Sequence, residues 1–135
     1  MNDHELTGGC RCGAIHYAIK CAPTDVSHCH CSMCRRSASA PFLTWLTLPA
    51  DKLDLGTSPL RAYQSSDQGT RSFCPTCGCQ ILYQDTSNSD LVYVTAASLE
   101  YPESVTPGGH NHAFDGLRWI HIDDDLPKFV TEGDT

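Results

Sequence analysis

The stretch Cys29-His30-Cys31-Ser32-Met33-Cys34-Arg35-Arg36 packs three thiols and one imidazole into six residues, and two guanidinium groups follow directly. Cysteine thiolates are preferred zinc ligands, and C-x-C and C-x2-C spacings both let one short loop wrap a tetrahedral ion. A structural zinc site uses four protein ligands, whereas a catalytic site uses three and keeps one position open. The stretch therefore predicts either an open, reactive metal centre or a structural site that a fourth ligand from elsewhere completes.

Two cysteine motifs with neighbouring glycines lie on either side of this stretch. One is Gly8-Gly9-Cys10-Arg11-Cys12-Gly13, and the other is Cys74-Pro75-Thr76-Cys77-Gly78, which resembles a zinc ribbon loop. Glycine lets the backbone turn so that N–H groups can point at metal-bound sulfur. The two motifs together supply four thiolates, and they predict a structural zinc site that clips the chain across the 61 residues from 13 to 73.

Two of the nine cysteines lie outside these motifs. Cys21 stands alone, and a lone cysteine is most often a small buried hydrophobic residue. Cys79 leaves three alternatives open. It is a fourth ligand for the metal at Cys29, Cys31 and Cys34, a resolving thiol, or a small residue of a strand over 80–83.

Length and cysteine usage limit the class of protein. The chain of 135 residues fits one domain, spanning residues 1–135. It has no apolar run of the roughly 18 residues that a membrane helix needs, and its start, residues 1–5, is too polar for a signal peptide. We therefore expect a cytoplasmic protein without a membrane partner. The odd number of cysteines, their tight pairing and the lack of an export signal favour metal ligation over disulfides. A bare redox dithiol would leave most of the thiols unexplained, and an iron–sulfur cluster is a weaker alternative to zinc.

The charge balance is acidic, with a formal net charge of −7. Metal-bound thiolates would make it more negative, which disfavours nucleic acid as a partner. Arginine is nevertheless concentrated beside the cysteines, at Arg11, Arg35, Arg36 and Arg71. These guanidinium groups either neutralise thiolates or dock an anionic small molecule, because arginine pairs bidentately with carboxylates.

The rest of the chain predicts many short strands and little helix. Alternating or β-branched and aromatic segments predict strands over 14–19, 42–48, 60–63, 80–83, 91–96 and 117–122. We expect a turn over 23–27, one or two helical turns over 37–40 and a short helix over 49–54. His110 and His112 follow a loop, where the pair could reach a metal or substrate or be polar loop-end residues. The predicted fold class is all-β, mainly antiparallel and sandwich-like, held by zinc knuckles.

These segments together resemble the glutathione-dependent formaldehyde-activating enzyme family almost from end to end. The matching segments are 9–14, 29–36, 40–42 with Trp45, 71–78, 107–110, and Trp119 with 123–127. The resemblance implies an all-β zinc fold with two zinc ions. It assigns the structural ion to Cys10, Cys12, Cys74 and Cys77, and the catalytic ion to Cys29, Cys31 and Cys34.

The resemblance also implies an activity. The family joins formaldehyde to the thiol of glutathione to give S-hydroxymethylglutathione, which serves formaldehyde detoxification. The reverse reaction cleaves a carbon–sulfur bond, so the expected class is a carbon–sulfur lyase. The expected partners are a small-molecule thiol such as glutathione and an aldehyde. In this hypothesis Arg35, Arg36 and Arg71 hold substrate carboxylates, and His30 or His110 transfers a proton.

Two other functions remain open at this point. In one, both metals are structural, Cys79 is the eighth ligand, and the domain is a non-catalytic zinc scaffold for a protein partner. In the other, Cys79 and a cluster cysteine form a thiol-redox pair. A homo-oligomer is also left open.

Overall fold

Within residues 5–132, which the computed structural model describes, ten strands form two sheets. The strands are β1 (Leu6–Gly9), β2 (His16–Ile19), β3 (Asp25–Cys29), β4 (Leu43–Pro49), β5 (Leu53–Asp54), β6 (Arg61–Gln64), β7 (Gly69–Phe73), β8 (Gln80–Asp85), β9 (Leu91–Thr95) and β10 (His110–Asn111). The α-helix of this region, α1, spans Ser32–Ala38. Short 3₁₀ turns cover Ala50–Lys52, Thr86–Asn88, Ala96–Ser98, Pro102–Ser104 and Ala113–Asp115.

The smaller sheet has the strand order β1-β2-β5, and the larger has the order β10-β3-β4-β9-β8-β7-β6. Neighbouring strands are antiparallel except β10, which runs parallel to β3 at one edge of the larger sheet. The prediction of a mainly antiparallel all-β fold with cysteine knuckles is thus confirmed. No helix among the described residues is long and apolar enough to span a membrane.

The core lies between the two sheets and follows from strand alternation. In β4, Leu46 and Leu48 are fully buried, and they pair in register with Val94 and Val92 of β9. Strand β2 of the smaller sheet adds Tyr17 and Ile19 to the same cluster. Successive residues of a strand point to opposite faces, so the intervening residues of β3 and β4 face away from this core and are free to build a site.

Four local predictions are wrong or incomplete. The short helix predicted over 49–54 is a 3₁₀ turn over Ala50–Lys52, and Leu53–Asp54 form strand β5. The predicted turn over 23–27 overlaps strand β3, because Asp25 and the residues after it pair with β4. The predicted last strand, 117–122, is irregular, and Trp119 within it is 70% exposed. The helix predicted over 37–40 begins earlier, at Ser32, and ends where Ser39 takes a left-handed conformation. The polar residues 1–4 that argued against a signal peptide lie outside the described residues.

Candidate metal centres

Four sulfurs from the two glycine-bounded knuckles meet at one point. The ligand atoms of Cys10, Cys12, Cys74 and Cys77 all lie within 4.8 Å of one another. The Sγ atoms of Cys10 and Cys12 are 3.6 Å apart, and those of Cys12 and Cys74 are 3.7 Å apart. A tetrahedral zinc with Zn–S bonds of about 2.3 Å separates its sulfurs by about 3.8 Å. The residues therefore fit a four-thiolate zinc ion almost without movement.

The backbone of both knuckles points donors at these sulfurs. The Ile15 amide donates to the Cys10 sulfur over 3.2 Å, and the Cys77 amide lies 3.5 Å from the Cys74 sulfur. A glycine follows each knuckle, Gly13 with a φ of 89° and Gly78 with a φ of 81°. Residues with a side chain rarely adopt such positive φ values. Each glycine thus allows the turn that brings its two cysteines around one ion.

A second sulfur group forms where β3 runs into α1. Cys29 ends the strand, Cys31 is the N-cap of the helix, and Cys34 lies in its first turn. Their ligand atoms lie within 4.8 Å of one another, and the Cys34 amide donates to the Cys31 sulfur over 3.3 Å. In the part of the chain that the structure describes, this group has three cysteine members against four in the other. The donor set fits a zinc ion with one position left for another ligand.

Two of these thiols, Cys29 and Cys34, have pKa values shifted in opposite directions. Hydrogen bonds from Cys29 and Cys31, with smaller contributions from Trp45 and Arg71, lower the pKa of Cys34 to about 2. The same hydrogen bonds to Cys31 and Cys34, together with burial, raise the pKa of Cys29. The hydrogen bonds from the neighbouring thiols and from Arg71 thus favour the thiolate form of Cys34.

Arg71 provides the positive charge that faces this sulfur. Its guanidinium Nη2 lies 3.8 Å from the Cys34 Sγ, and its Nη1 donates to the Ser37 hydroxyl over 3.2 Å. The guanidinium carbon sits 5.0 Å from the ring centroid of Tyr83 and 5.8 Å from that of Trp45. The residue is only 4% exposed. These contacts favour neutralisation of the thiolate over the docking of a substrate carboxylate.

The other predicted substrate residues separate in space. Arg35 is half-buried, and its Nε donates to the backbone carbonyl of His30 over 3.3 Å. Arg36 is exposed at the surface of α1, next to the three-cysteine group in sequence. His110 is buried in β10, in contact with His30 rather than with a cysteine.

Neither of the two remaining cysteines joins a metal group among the described residues. Cys79 packs against the main core, and its carbonyl accepts a hydrogen bond from the Cys74 amide over 2.9 Å. Burial raises the pKa of its thiol, and the nearby thiols of Cys77 and Cys10 add to this effect. Cys21 also packs against the main core. The position of Cys79 beside the four-cysteine group weighs against its use as a ligand of the other group.

The run His28-Cys29-His30-Cys31 divides imidazole and thiol between two faces of the chain. Cys29 packs with Leu43 and Trp45, whereas His28 Nδ1 makes a 2.7 Å hydrogen bond with the Thr44 hydroxyl. This separation follows from the two-residue period of an extended chain.

The imidazole face has a surface cleft of its own. The cleft, of about 180 Å³, is lined by His30, His110 and Lys128 among others, and none of the three cysteines is in its lining. Burial lowers the pKa of both His28 and His30, and the neighbouring His110 adds to this effect. We did not single out His28 from the sequence, although the alternation His-Cys-His-Cys predicts that its ring lies on the face opposite Cys29.

Comparison with known proteins supports the likeness seen in the sequence. The family model described as glutathione-dependent formaldehyde-activating enzyme matches residues 5–114, which include all seven cysteines of the two groups. An uncharacterized lyase of Schizosaccharomyces pombe is 28% identical over 102 residues, which is 76% of this chain and 74% of the relative. A crystal structure of a Rhodobacter sphaeroides protein superposes with a TM-score of 0.58 at 23% identity, covering 92% of this chain and 100% of that one. At that identity the superposition shows the fold alone.

Proposed function

Because the chain belongs to the glutathione-dependent formaldehyde-activating enzyme family, we propose that it is a zinc-dependent carbon–sulfur lyase. Its substrate in this proposal is a glutathione–aldehyde adduct such as S-hydroxymethylglutathione, or the adduct of a related thiol. The lyase name of the relative from Schizosaccharomyces pombe supports the reaction class. The proposal uses two zinc ions, a structural one at the four-cysteine group and a catalytic one at the three-cysteine group.

The observation that carries this proposal is the difference between the two cysteine groups, which have four and three members. A closed set of four thiolates suits a structural ion, whereas a set of three leaves room for a substrate sulfur. Zinc bound there would supply a positive charge that keeps a substrate thiol ionised at neutral pH. The protein's part is to hold three sulfurs in place, through the β3 strand end and the Cys31 N-cap.

Arg71 and the α1 arginines have different parts in this proposal. Arg71, buried against Cys34, offsets the negative charge that the thiolates bring into the protein. Arg36 is exposed close to the site, where its guanidinium can pair with a carboxylate of glutathione. Arg35 supports α1 through its bond to the His30 carbonyl and is the second candidate for that carboxylate.

The reaction balances without a further reagent. In synthesis the thiolate sulfur attacks the carbonyl carbon of the aldehyde, a carbon–sulfur bond forms, and the C=O electron pair moves to oxygen. The oxygen then takes the proton that the thiol had lost. In the lyase direction the hydroxyl loses its proton, the carbonyl re-forms, and the sulfur leaves as thiolate.

Exchange NMR on a mixture of glutathione and formaldehyde tests the proposal directly. We expect the zinc-loaded protein to accelerate interconversion of the thiol and its hydroxymethyl adduct, and we expect Cys31→Ser to abolish the acceleration. Cys79→Ser is the matched control, because it removes a cysteine that belongs to neither group, and it should keep the activity.

The number of sulfur ligands on each zinc ion separates the lyase from a non-catalytic scaffold. In protein that holds one zinc ion at each cysteine group, X-ray absorption at zinc should show an average of 3.5 sulfurs per ion if one site has four sulfurs and the other three, as the two groups predict. Four sulfurs at both sites, together with no acceleration by protein that holds both ions, would refute the lyase proposal and favour the scaffold.

A further inference from the structure

Two imidazoles and a carboxylate meet on the face of β3 opposite the three-cysteine centre. The ligand atoms of His28, His110 and Asp124 lie within 4.8 Å of one another. We propose that these three residues form a further metal site, for a divalent transition-metal ion of borderline softness such as zinc or ferrous iron, with His30 positioning His110. Two histidines and one carboxylate are a donor set that such ions take with open positions left for other ligands.

The hydrogen bonds around the cluster leave the right nitrogens for a metal. His28 Nδ1 is 2.7 Å from the Thr44 hydroxyl, and His110 Nδ1 is 2.9 Å from His30 Nε2. A metal-binding histidine typically uses one ring nitrogen for the ion and the other for such a partner, which sets its tautomer and orientation. The Nε2 atoms of His28 and His110 are therefore the ones left for an ion, and binding would replace the hydrogen bond between His110 Nε2 and the Asp124 carboxylate.

The spacing of donor atoms is close to what an ion requires. His110 Nε2 lies 3.0 Å from Asp124 Oδ2. Ligands about 2.0–2.1 Å from a tetrahedral ion are about 3.4 Å apart, so a small outward shift of the carboxylate admits the ion. The Asp124 side chain is 26% exposed, which gives the ion a path from solvent.

The backbone holds the three ligands in place although they come from three separate segments. His110 sits opposite His28 in the parallel pairing of β10 with β3. The amide of His110 donates to the Pro127 carbonyl over 2.9 Å, and the amide of Leu126 donates to Asp124 Oδ1 over 3.2 Å. The loop that carries Asp124 is thus fixed to the strand that carries His110, so little reorganisation is needed on binding.

The metal-free alternative is a plain hydrogen bond between His110 and Asp124. That hydrogen bond does not involve His28, although the ring of His28 lies 4.9 Å from that of His110.

The donor chemistry of this cluster also differs from that of the two cysteine groups. An imidazole and carboxylate set accepts harder ions than thiolate does, so the site can be studied in protein whose cysteine groups are already filled.

Calorimetric titration of zinc tests the site in protein that has been given only enough zinc to fill its cysteine groups. We expect one further equivalent to bind in the unmodified chain, and we expect His28→Ala and Asp124→Asn each to weaken that step at least about tenfold. His16→Ala is the control, because His16 is an exposed histidine on β2, outside the cluster. Asp124→Asn is nearly isosteric at a partly exposed position, so it remains informative even if His28→Ala unfolds.

Cobalt identifies the ligands. Cobalt bound at this step should show ligand-field bands without the sulfur-to-cobalt charge-transfer band of a thiolate site. The step should persist in Cys31→Ser, so its result is independent of the lyase proposal. Absence of a further equivalent in the unmodified chain, or a further step that both cluster variants retain at full strength, would overturn the inference.

Discussion

Replacement of Arg71 by methionine is the sharpest test of how the three-cysteine centre is held. Arg71 is 4% exposed, and its guanidinium lies over the rings of Tyr83 and Trp45 and faces the Cys34 sulfur. Methionine keeps much of the side-chain volume and removes the charge. The variant therefore asks whether the thiolates at this centre depend on a buried cation.

The size of the effect follows from the contact distance. Two unit charges 3.8 Å apart, the distance from Arg71 Nη2 to Cys34 Sγ, attract by about 4 kcal/mol at an effective dielectric constant of about 20. Part of this attraction is offset by the cost of burying the guanidinium. Residues that support metal ligands typically change metal affinity about 10–100-fold, or about 1.4–2.8 kcal/mol. We expect Arg71→Met to weaken zinc binding at the three-cysteine centre within that range.

Competition with a chromophoric chelator measures the change. In Arg71→Met, zinc at the three-cysteine group should be released at a lower chelator concentration than in the unmodified protein. Release of zinc from the four-cysteine group should be unaffected. Arg71→Lys is the matched variant, because it keeps the charge but loses the planar fork that contacts both Cys34 and Ser37. The zinc affinity of Arg71→Lys at the three-cysteine group should lie between that of Arg71→Met and that of the unmodified protein.

Unchanged zinc affinity at both groups in Arg71→Met would refute this argument. If that variant instead lost affinity for glutathione with its zinc intact, Arg71 would be a substrate residue. The structural case for thiolate neutralisation would then be wrong.

Two further changes test the scaffold around the site. Cys77→Ser removes one of the four sulfurs of the four-cysteine group. If zinc at that group closes the chain between distant knuckles, as we propose, the variant should lose one zinc ion and unfold at a lower temperature in thermal melts. Cys79→Ser, at a cysteine outside both groups, should melt nearly as the unmodified protein does, and equal melting of the two variants would contradict the assignment. Leu46→Ala empties a fully buried position in β4 and should lower the free energy of unfolding by about 2–5 kcal/mol in urea titrations, whereas a change below about 1 kcal/mol would mean that the two sheets do not share the core described here.

The cysteine chemistry could be predicted because it is local. Cys29, Cys31 and Cys34 lie within six residues, so any compact path of the chain brings their sulfurs together. The two outer knuckles each carry half of a tetrahedral set, which indicates that they meet. The family likeness rests on these same spacings, and so does the expectation of a mainly β fold.

Other parts of the structure depend on contacts between residues far apart in sequence. Strand β3 has no clear apolar alternation, and it forms because β4 and β10 supply its hydrogen-bond partners. The segment 117–122 is as apolar as a strand but is irregular where it lies. Local pattern cannot distinguish the two cases, because a strand is stable only where a neighbour pairs with it.

Spacing in the sequence therefore determined which cysteines can bind metal together, and the tertiary structure decided what surrounds them and which other side chains meet. Arg71 is separated by 36 residues from Cys34, and only the fold buries its charge against that sulfur. Asp124 and His28 are likewise brought together by the pairing of β10 with β3 and by the loop that follows it. The ligands that a short segment offers depend on residues close together in the sequence. Burial, charge pairing and access depend on which distant segments the sheets bring into contact.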